Sequence, residues 1–193
     1  MTVCFLVRHA AFDFGVRHLA GRSECALSSV GEEQAKNLAR ILPRRAIVQS
    51  SPRRRCVQTI APHAFAAGQR TTIVPALDEL DFGSWTGRTF ASLDRDPAWR
   101  QWNEHRAKAR APGGEAMIDA QSRILRHIGE VAATSPSAAV IMVTHAELVR
   151  GVLLHCLSVP LDNWNLVDVP HASVTTIAVG SSGQMVLDQR IAA

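Results

Sequence analysis

Short apolar runs alternate along the chain with segments whose apolar residues recur every three or four positions. Four runs have the length and composition of buried strands: 3–7, 46–50, 71–75 and 138–143. Four segments have the periodicity of helices that bury one face: 27–42, 51–66, 115–133 and 147–157. Strands that alternate with helices predict an α/β fold, a three-layer α/β/α sandwich around a mostly parallel central sheet.

Local signals predict where two of these helices begin and end. Ser29 and Glu32 have the spacing of a capping box, in which each side chain accepts a hydrogen bond from a backbone N–H of the first turn. Pro43 is expected to stop that helix. Ser51 followed by Pro52 is a favourable pair for an N-cap and a first helical residue, so we expect the second helix to begin there.

The rest of the chain divides into an irregular middle segment and a C-terminal pair of strands. Residues 78–114 contain three of the four tryptophans, and we expect them to form a covering segment with one or two short helices. The stretches SVTTIAVG and GQMVLDQRIA predict a hairpin that turns at 181–183. No internal repeat or low-complexity linker interrupts the sequence, which predicts a single domain over residues 1–193.

The composition is that of a globular protein. Hydrophobic residues make up 47% of the 193 positions and charged residues 20%, and no apolar run approaches the length of a membrane span. The N-terminal apolar run has neither a basic leader nor a cleavage site, which predicts a cytoplasmic protein. The four cysteines lie outside any metal-ligand spacing, so we expect reduced thiols and no metal site.

The net charge of +4 comes from arginine. Only Lys36 and Lys108 among the 21 basic residues are lysine. Arginine binds phosphate and carboxylate groups through paired N–H donors. Because no basic run is interleaved with aromatic residues, the sequence favours a small anionic ligand over nucleic acid.

Cationic or titratable side chains follow three predicted strands at the point where each strand ends. They are Arg8 and His9, Arg55 with its two preceding arginines, and Thr144 with His145. Ligands of open α/β sheets bind beyond the carboxyl ends of the strands, and the N-terminus of the helix beginning at 51 adds N–H donors there. The coincidence predicts a pocket for a small dianion, most simply phosphate, although either histidine alone would more often be an ordinary polar residue.

Five motifs along residues 3–157 resemble those of the histidine phosphatase superfamily, the phosphoglycerate mutase-like group. LVRHA resembles its RHG signature, and SSPRRRCVQTI resembles its S-x-x-x-R-A-x-Q-T segment. LDELDFGSWTG resembles the L-x-E-x-x-F-G-x-W-x-G block, PGGEAM the G-G-E helix start, and VTHAELVRGVL the V-x-H-G block. The resemblance implies a phosphoglycerate mutase-like fold.

The same resemblance implies metal-independent hydrolysis of phosphate monoesters through a phosphohistidine, with no cofactor. His9 would be the nucleophile and Glu79 the proton donor and acceptor, and His145 completes the catalytic set. The residues implied to bind the phosphoryl oxygens are Arg8, Arg55, His145 and Ala146.

The role implied for Glu79 needs a pKa above the ordinary value of a glutamate. We expect Phe82 and Trp85 to exclude water from this carboxyl group and so raise its pKa. The alternative is an ordinary loop carboxylate paired with an arginine.

Two further residues are possible substrate contacts, Arg22 and Thr144, although a solvated loop arginine and a capping hydroxyl fit the pattern equally well. Glu115 is expected to support a helix start and not to act in catalysis. The chain departs from the family pattern in three ways: Ala10 and Ala146 stand in place of glycines, AAFDFG at residues 10–15 stands where the family often has G-E-T-x-x-N, and His171 stands in place of an asparagine.

Three functions remain open at this point. The first is a phosphatase acting on a small-molecule phosphate ester, which the short covering segment favours. The second is a phosphoglycerate mutase-type phosphoryl transfer, and the third is a catalytically weak module that binds a phosphorylated ligand. We expect no nucleic-acid or membrane partner, and a homodimer is possible because the C-terminal hairpin could present a sheet edge.

Overall fold

The central sheet has six strands in a computed structural model that describes residues 1–15, 17–180 and 182–191. The strands are β1 (Thr2–Arg8), β2 (Ile47–Ser50), β3 (Thr71–Ile73), β4 (Ala139–Thr144), β5 (Val174–Val179) and β6 (Met185–Ile191). Their spatial order is β3-β2-β4-β1-β5-β6. The pairs from β3 to β1 are parallel and the two that involve β5 are antiparallel, so the mostly parallel sheet is confirmed.

Helices connect the parallel strands. They are α1 (Ser29–Ile41), α2 (Arg54–Ala67), α3 (Phe90–Leu93), α4 (Pro97–Glu104), α5 (Met117–Thr134) and α6 (Ala146–Cys156). Short 3-10 turns lie at Pro75–Leu77, Gly83–Trp85 and Leu161–Leu166.

The two faces of the sheet carry separate apolar clusters because side chains alternate along a strand. On β4, Val140 and Met142 belong to the cluster that includes residues of α5 and α6. Ile141 and Val143 belong to the cluster that includes residues of α1 and α2. Helices therefore cover both faces, as a parallel sheet requires, and the three-layer sandwich is confirmed.

The capping box predicted for α1 is wrong by one residue. Ser28 is the N-cap, and its hydroxyl accepts from the backbone N–H of Gly31 at 3.2 Å. Contacts outside the helix fix its first residue. The Ser28 N–H donates to the carbonyl of Ala11, and Gly31 packs against the backbone of Ala11. The stop predicted at Pro43 is confirmed, since α1 ends at Ile41.

The start predicted for α2 is also wrong. The helix begins at Arg54 with Arg53 as its N-cap, and Ser51 lies outside it. The hydroxyl of Ser51 lies 2.8 Å from a ring nitrogen of His145, so it serves a contact distant in sequence and does not cap α2 in the predicted way.

The covering segment has the predicted short helices, α3 and α4. The two strands predicted at the C-terminus are confirmed as the antiparallel pair of β5 and β6. Residues 181 and 192, which the hairpin prediction includes, lie outside the described residues. The single domain over residues 1–193 stays a prediction.

Candidate active site

His9 lies directly beyond β1 at the carboxyl edge of the sheet. Its backbone N–H donates to the carbonyl of Thr144 at 2.9 Å, and its side chain is buried with 3% of the residue exposed. Nδ1 lies 2.9 Å from the carbonyl oxygen of Ala10, which can only accept, so Nδ1 carries the proton and Nε2 presents its lone pair. Burial, followed by the charges of Arg55 and Arg8, holds the pKa of His9 well below its usual range, and the ring is neutral near pH 7.

His145 faces His9 across the site with its ring centroid 5.2 Å away. Nη2 of Arg55 lies 3.0 Å from Nδ1 of His145. Because a guanidinium only donates, Nδ1 accepts and the proton resides on Nε2, which donates to Oγ of Ser51 at 2.8 Å. Burial and the charge of Arg55 hold the pKa of His145 well below its usual range.

The two arginines predicted to bind phosphate, Arg8 and Arg55, each have an N–H group that makes no hydrogen bond within the described residues. Arg8 donates through Nη1 to the carbonyl of Val169 and through Nη2 to Nε2 of His171 at 3.1 Å. The Nε–H groups of Arg8 and Arg55 are buried and have no hydrogen-bond partner among the described residues. Buried donors in this state cost free energy that an anion can recover.

Glu79 reaches the same site from the loop that follows β3. Its carboxyl group accepts from the N–H of Leu80 at 2.9 Å, and Oε2 lies 3.7 Å from Nδ1 of His145. Burial raises the pKa of Glu79 to about 7, and the charge of Glu147 acts in the same direction while the charge of Arg55 opposes it. A carboxyl group with this pKa can both donate and accept a proton near neutral pH.

Of the three consecutive arginines, Arg55 alone points into the site. Arg53 donates to both carboxylate oxygens of Asp78 at 2.9 Å, and the side chain of Arg54 is exposed. The carboxylate of Glu24 accepts from the Arg54 N–H at 3.1 Å and from Arg53 at 2.9 Å. A carboxylate of this chain therefore already accepts from one of the first amides of α2, which the sequence predicts to add donors to the phosphate pocket.

The N-terminus of α6 supplies backbone donors at the site instead. The helix begins at Ala146, directly after His145, so the first amides have no acceptor within the helix. Neither Ala146 nor Ala10 is among the described residues with a positive φ angle, so alanine replaces glycine at both positions without backbone strain.

The structure places the two possible substrate contacts in support roles. Arg22 donates to the carbonyl of Glu79, to Asp81 and to Glu115, and thereby ties down the loop that carries Glu79. The hydroxyl of Thr144 is fully buried and donates to the carbonyl of Leu77 at 2.7 Å.

Sequence reasoning missed several residues that the fold brings to the site. The ring of His171 lies 5.2 Å from that of His9, and Nδ1 lies 3.3 Å from the His9 carbonyl. Burial and the charge of Arg8 lower the pKa of His171 to about 4. The ring of Phe12 lies 5.1 Å from His9, with the guanidinium of Arg55 over it at 5.3 Å. The only sequence signal was that both positions depart from the family motifs.

The described part of the chain lacks both a cluster of metal ligands and a helix that could span a membrane. Residues 1–15, 17–180 and 182–191 hold no group of three or more His, Cys, Asp or Glu side chains placed to bind a metal ion. None of the helices formed by these residues has the length and apolar character needed to cross a bilayer. All four cysteines are free, as expected.

Several known proteins resemble the chain over most of its length. Glucosyl-3-phosphoglycerate phosphatase of Mycolicibacterium vanbaalenii is 28% identical over 177 residues, which cover 82% of this chain and 76% of that protein. Phosphoserine phosphatase 1 of Hydrogenobacter thermophilus is 27% identical over 196 residues, which cover 99% of this chain and 93% of that protein. The solved structure of native mycobacterial glucosyl-3-phosphoglycerate phosphatase superposes with a TM-score of 0.84 at 25% identity and covers 96% of each chain.

The family profile described as the histidine phosphatase superfamily, branch 1, matches residues 4–191. This match includes every strand and helix described above, apart from the first two residues of β1. It also includes His9, Arg55, Glu79 and His145 in the order in which the family motifs occur. The chain therefore belongs to branch 1 of the histidine phosphatase superfamily.

Proposed function

We propose that the protein hydrolyses small phosphate monoesters without a metal ion, through a phosphohistidine formed on Nε2 of His9. The observation that carries this proposal is the proton arrangement of His9. The ring is neutral, and Nδ1–H is held by the carbonyl of Ala10. This leaves the lone pair of Nε2 as the nucleophile that phosphoryl transfer needs.

In the first step, Nε2 of His9 attacks phosphorus and the bond from phosphorus to the ester oxygen breaks. The departing oxygen takes the electron pair of that bond and receives the proton of Glu79. In the second step, Glu79 as carboxylate takes a proton from water while the water oxygen attacks phosphorus. The bond from phosphorus to nitrogen breaks, inorganic phosphate leaves, and Glu79 is protonated again. A pKa of about 7 suits both steps.

Arg8, Arg55, His145 and the first backbone amide of α6, at Ala146, hold the phosphoryl oxygens in this proposal. The unpartnered Nε–H groups of the two arginines support it. Nδ1 of His145 accepts from Arg55 in the structure, so it donates to a phosphoryl oxygen only after it binds a proton. The negative charge of a bound phosphoryl group favours that protonation.

The test is hydrolysis of p-nitrophenyl phosphate, with and without EDTA, by the wild type and by His9→Ala. His155→Ala is the matched control, because His155 is exposed on α6 and outside the site. We expect EDTA-insensitive turnover that falls at least 10³-fold in His9→Ala and is unchanged in His155→Ala. Acid-labile ³²P on wild-type protein after rapid mixing with labelled substrate would identify the intermediate. Turnover that survives in His9→Ala would refute the assignment of the nucleophile.

The finer features of the protein stay predictions. They are the cytoplasmic location, the possible homodimer and the absence of a nucleic-acid partner. According to their names, the relatives described above act on esters whose alcohols carry a carboxylate. Whether this protein also accepts a carboxylate in its substrate depends on the residues that line the pocket near Glu79.

A further inference from the structure

A cavity of about 430 Å³ lies between the covering segment and α6, and its lining includes none of the proposed catalytic residues. It is linked to them through the segment at 167–169, because Arg150 of the lining donates to the carbonyl of Val167 and Arg8 to that of Val169. Phe82 lines the cavity three positions after Glu79, and Glu147 lines it two positions after His145. The charge of Glu147 also acts on the pKa values of Glu79 and Arg8. The cavity is therefore placed to receive the alcohol part of an ester whose phosphoryl group lies at His9.

The charged side chains of this cavity already pair with one another. Arg106 donates to one carboxylate oxygen of Glu147 at 2.7 Å, and Arg150 donates to the other at 2.6 Å. Arg106 also donates to Asn103 at 2.8 Å, and Arg150 to the carbonyl of Val167 at 3.1 Å. A substrate carboxylate would have to displace Glu147 from a guanidinium or sit close to its negative charge.

The formal charges of the cavity lining cancel. Asp94, an exposed residue, lines the cavity together with Glu147, so two acidic residues stand against the two arginines and leave no excess positive charge for a substrate carboxylate. The guanidinium of Arg106 is further enclosed between the rings of Trp102 and Trp164, at 4.2 and 3.9 Å from their centroids. The buried Nε–H of Arg106 has no hydrogen-bond partner among the described residues, but the aromatic faces and Glu147 hold the guanidinium in place, so it is poorly placed to turn toward a new anion.

Apart from Asn103, whose side-chain oxygen accepts from Arg106, the remaining lining is apolar and largely aromatic. It consists of Leu19, Phe82, Phe90, Trp99 and Trp164. Phe90 is 39% exposed, so it has ring surface that a ligand can still cover. Faces of this kind bind flat, apolar groups and give little to a small polar alcohol.

We propose that this pocket selects phosphate monoesters whose alcohol carries a flat apolar ring, and that it discriminates against alcohols that carry a carboxylate. The inference rests on the proposed phosphatase function and gives that function a substrate class. It separates this protein from the relatives whose names specify phosphoserine or glucosyl-3-phosphoglycerate.

The test compares benzyl phosphate, 4-carboxybenzyl phosphate and phosphoserine as substrates of the wild type. The two benzyl esters have the same reacting group and differ by one distant carboxylate, so the chemical step is matched. We expect kcat/KM for benzyl phosphate to exceed that for each carboxylated ester at least tenfold. Equal or better turnover of 4-carboxybenzyl phosphate or phosphoserine would overturn the inference and leave the phosphatase function standing.

Phe90→Ala tests whether the pocket is the cause. Phe65→Ala is the matched control, because Phe65 is 91% exposed on α2, outside the pocket. We expect Phe90→Ala to lower kcat/KM for benzyl phosphate about three- to tenfold, mainly through KM, and Phe65→Ala to leave it unchanged. An unchanged preference in Phe90→Ala would count against the pocket. If neither turnover nor labelled phosphohistidine appears with any ester, the phosphatase function fails and this inference fails with it.

Discussion

The proposed catalytic centre around Glu79 and the pocket around Glu147 shift the pKa of a buried glutamate in opposite directions. Glu147 has an arginine on each carboxylate oxygen, and its pKa is lowered although burial alone would raise it. Glu79 has a backbone N–H and no arginine within ion-pair distance among the described residues, and its pKa rises to about 7. Partners, and not burial, decide whether a carboxyl group in this protein is a fixed charge or a proton carrier.

The same contrast holds for the arginines of the two regions. In the pocket, Arg106 and Arg150 are engaged with Glu147. In the catalytic centre, Arg8 and Arg55 instead donate to backbone carbonyls and to ring nitrogens of histidines. A buried Nε–H without a partner among the described residues occurs in both regions, on Arg106 as well as on Arg8 and Arg55. The regions therefore differ in whether a carboxylate of this chain neutralises the guanidinium groups.

The largest expected effect follows from removing the proton carrier. Glu79→Gln should lower kcat/KM for benzyl phosphate about 10²- to 10⁴-fold, because its alkoxide leaves only with a proton. The loss should be much smaller for p-nitrophenyl phosphate, whose leaving group needs no proton. Steady-state kinetics on both esters measure this difference, with Glu33→Gln on the exposed face of α1 as control. Equal losses for the two esters would argue against general acid catalysis by Glu79.

A smaller effect, on stability, is expected from Glu147. Glu147→Ala leaves Arg106 and Arg150 buried without their carboxylate, which should cost about 3–5 kcal/mol of unfolding free energy. Urea denaturation measures the loss. Glu33→Ala breaks an exposed ion pair with Lys36 and should not change stability measurably. Similar midpoints for the two variants would contradict the structural role of the buried network.

The smallest expected effect links the two regions through charge. Since Glu79 must be protonated to act as an acid, kcat/KM of the wild type should fall as pH rises through about 7. The low pKa of His9 keeps the nucleophile neutral across this range. The charge of Glu147 raises the pKa of Glu79, so Glu147→Gln should move the alkaline limb a few tenths of a pH unit lower. A limb that stays in place, or moves to higher pH, would show that the two carboxyl groups are not coupled in this way.

The sequence predicts the catalytic centre better than the pocket, for a physical reason. His9, Arg55 and His145 lie at or just beyond the ends of apolar strands, and the topology of a parallel sheet brings such ends together. The pocket depends on pairs such as Arg106 with Glu147, which come from segments 41 positions apart and belong to no local pattern. Pairings of this kind become visible only once the covering segment has been placed on α6.

Ser51 shows the same limit within the catalytic centre. Its position before a proline gives it a strong local signal as a helix cap, yet its hydroxyl contacts His145, 94 positions later. The same hydroxyl also accepts from the N–H of Arg53 at 3.3 Å, so it keeps a local hydrogen bond beside the tertiary contact, and α2 begins at Arg54. Asp78, one residue before Glu79, accepts a hydrogen bond from Arg53. No local pattern predicts this contact, because the two residues are 25 positions apart.

The distribution of tryptophan gives the protein a built-in optical probe of the pocket. All four tryptophans lie at or near it. Trp99 and Trp102 stack, Trp85 packs edge-to-face on both, and Trp164 faces Trp102 across Arg106. The layer formed by α1 and α2 contains none. Intrinsic fluorescence excited at tryptophan therefore reports on one region of the molecule, and a titration followed by emission would register an occupant of the pocket without any added label.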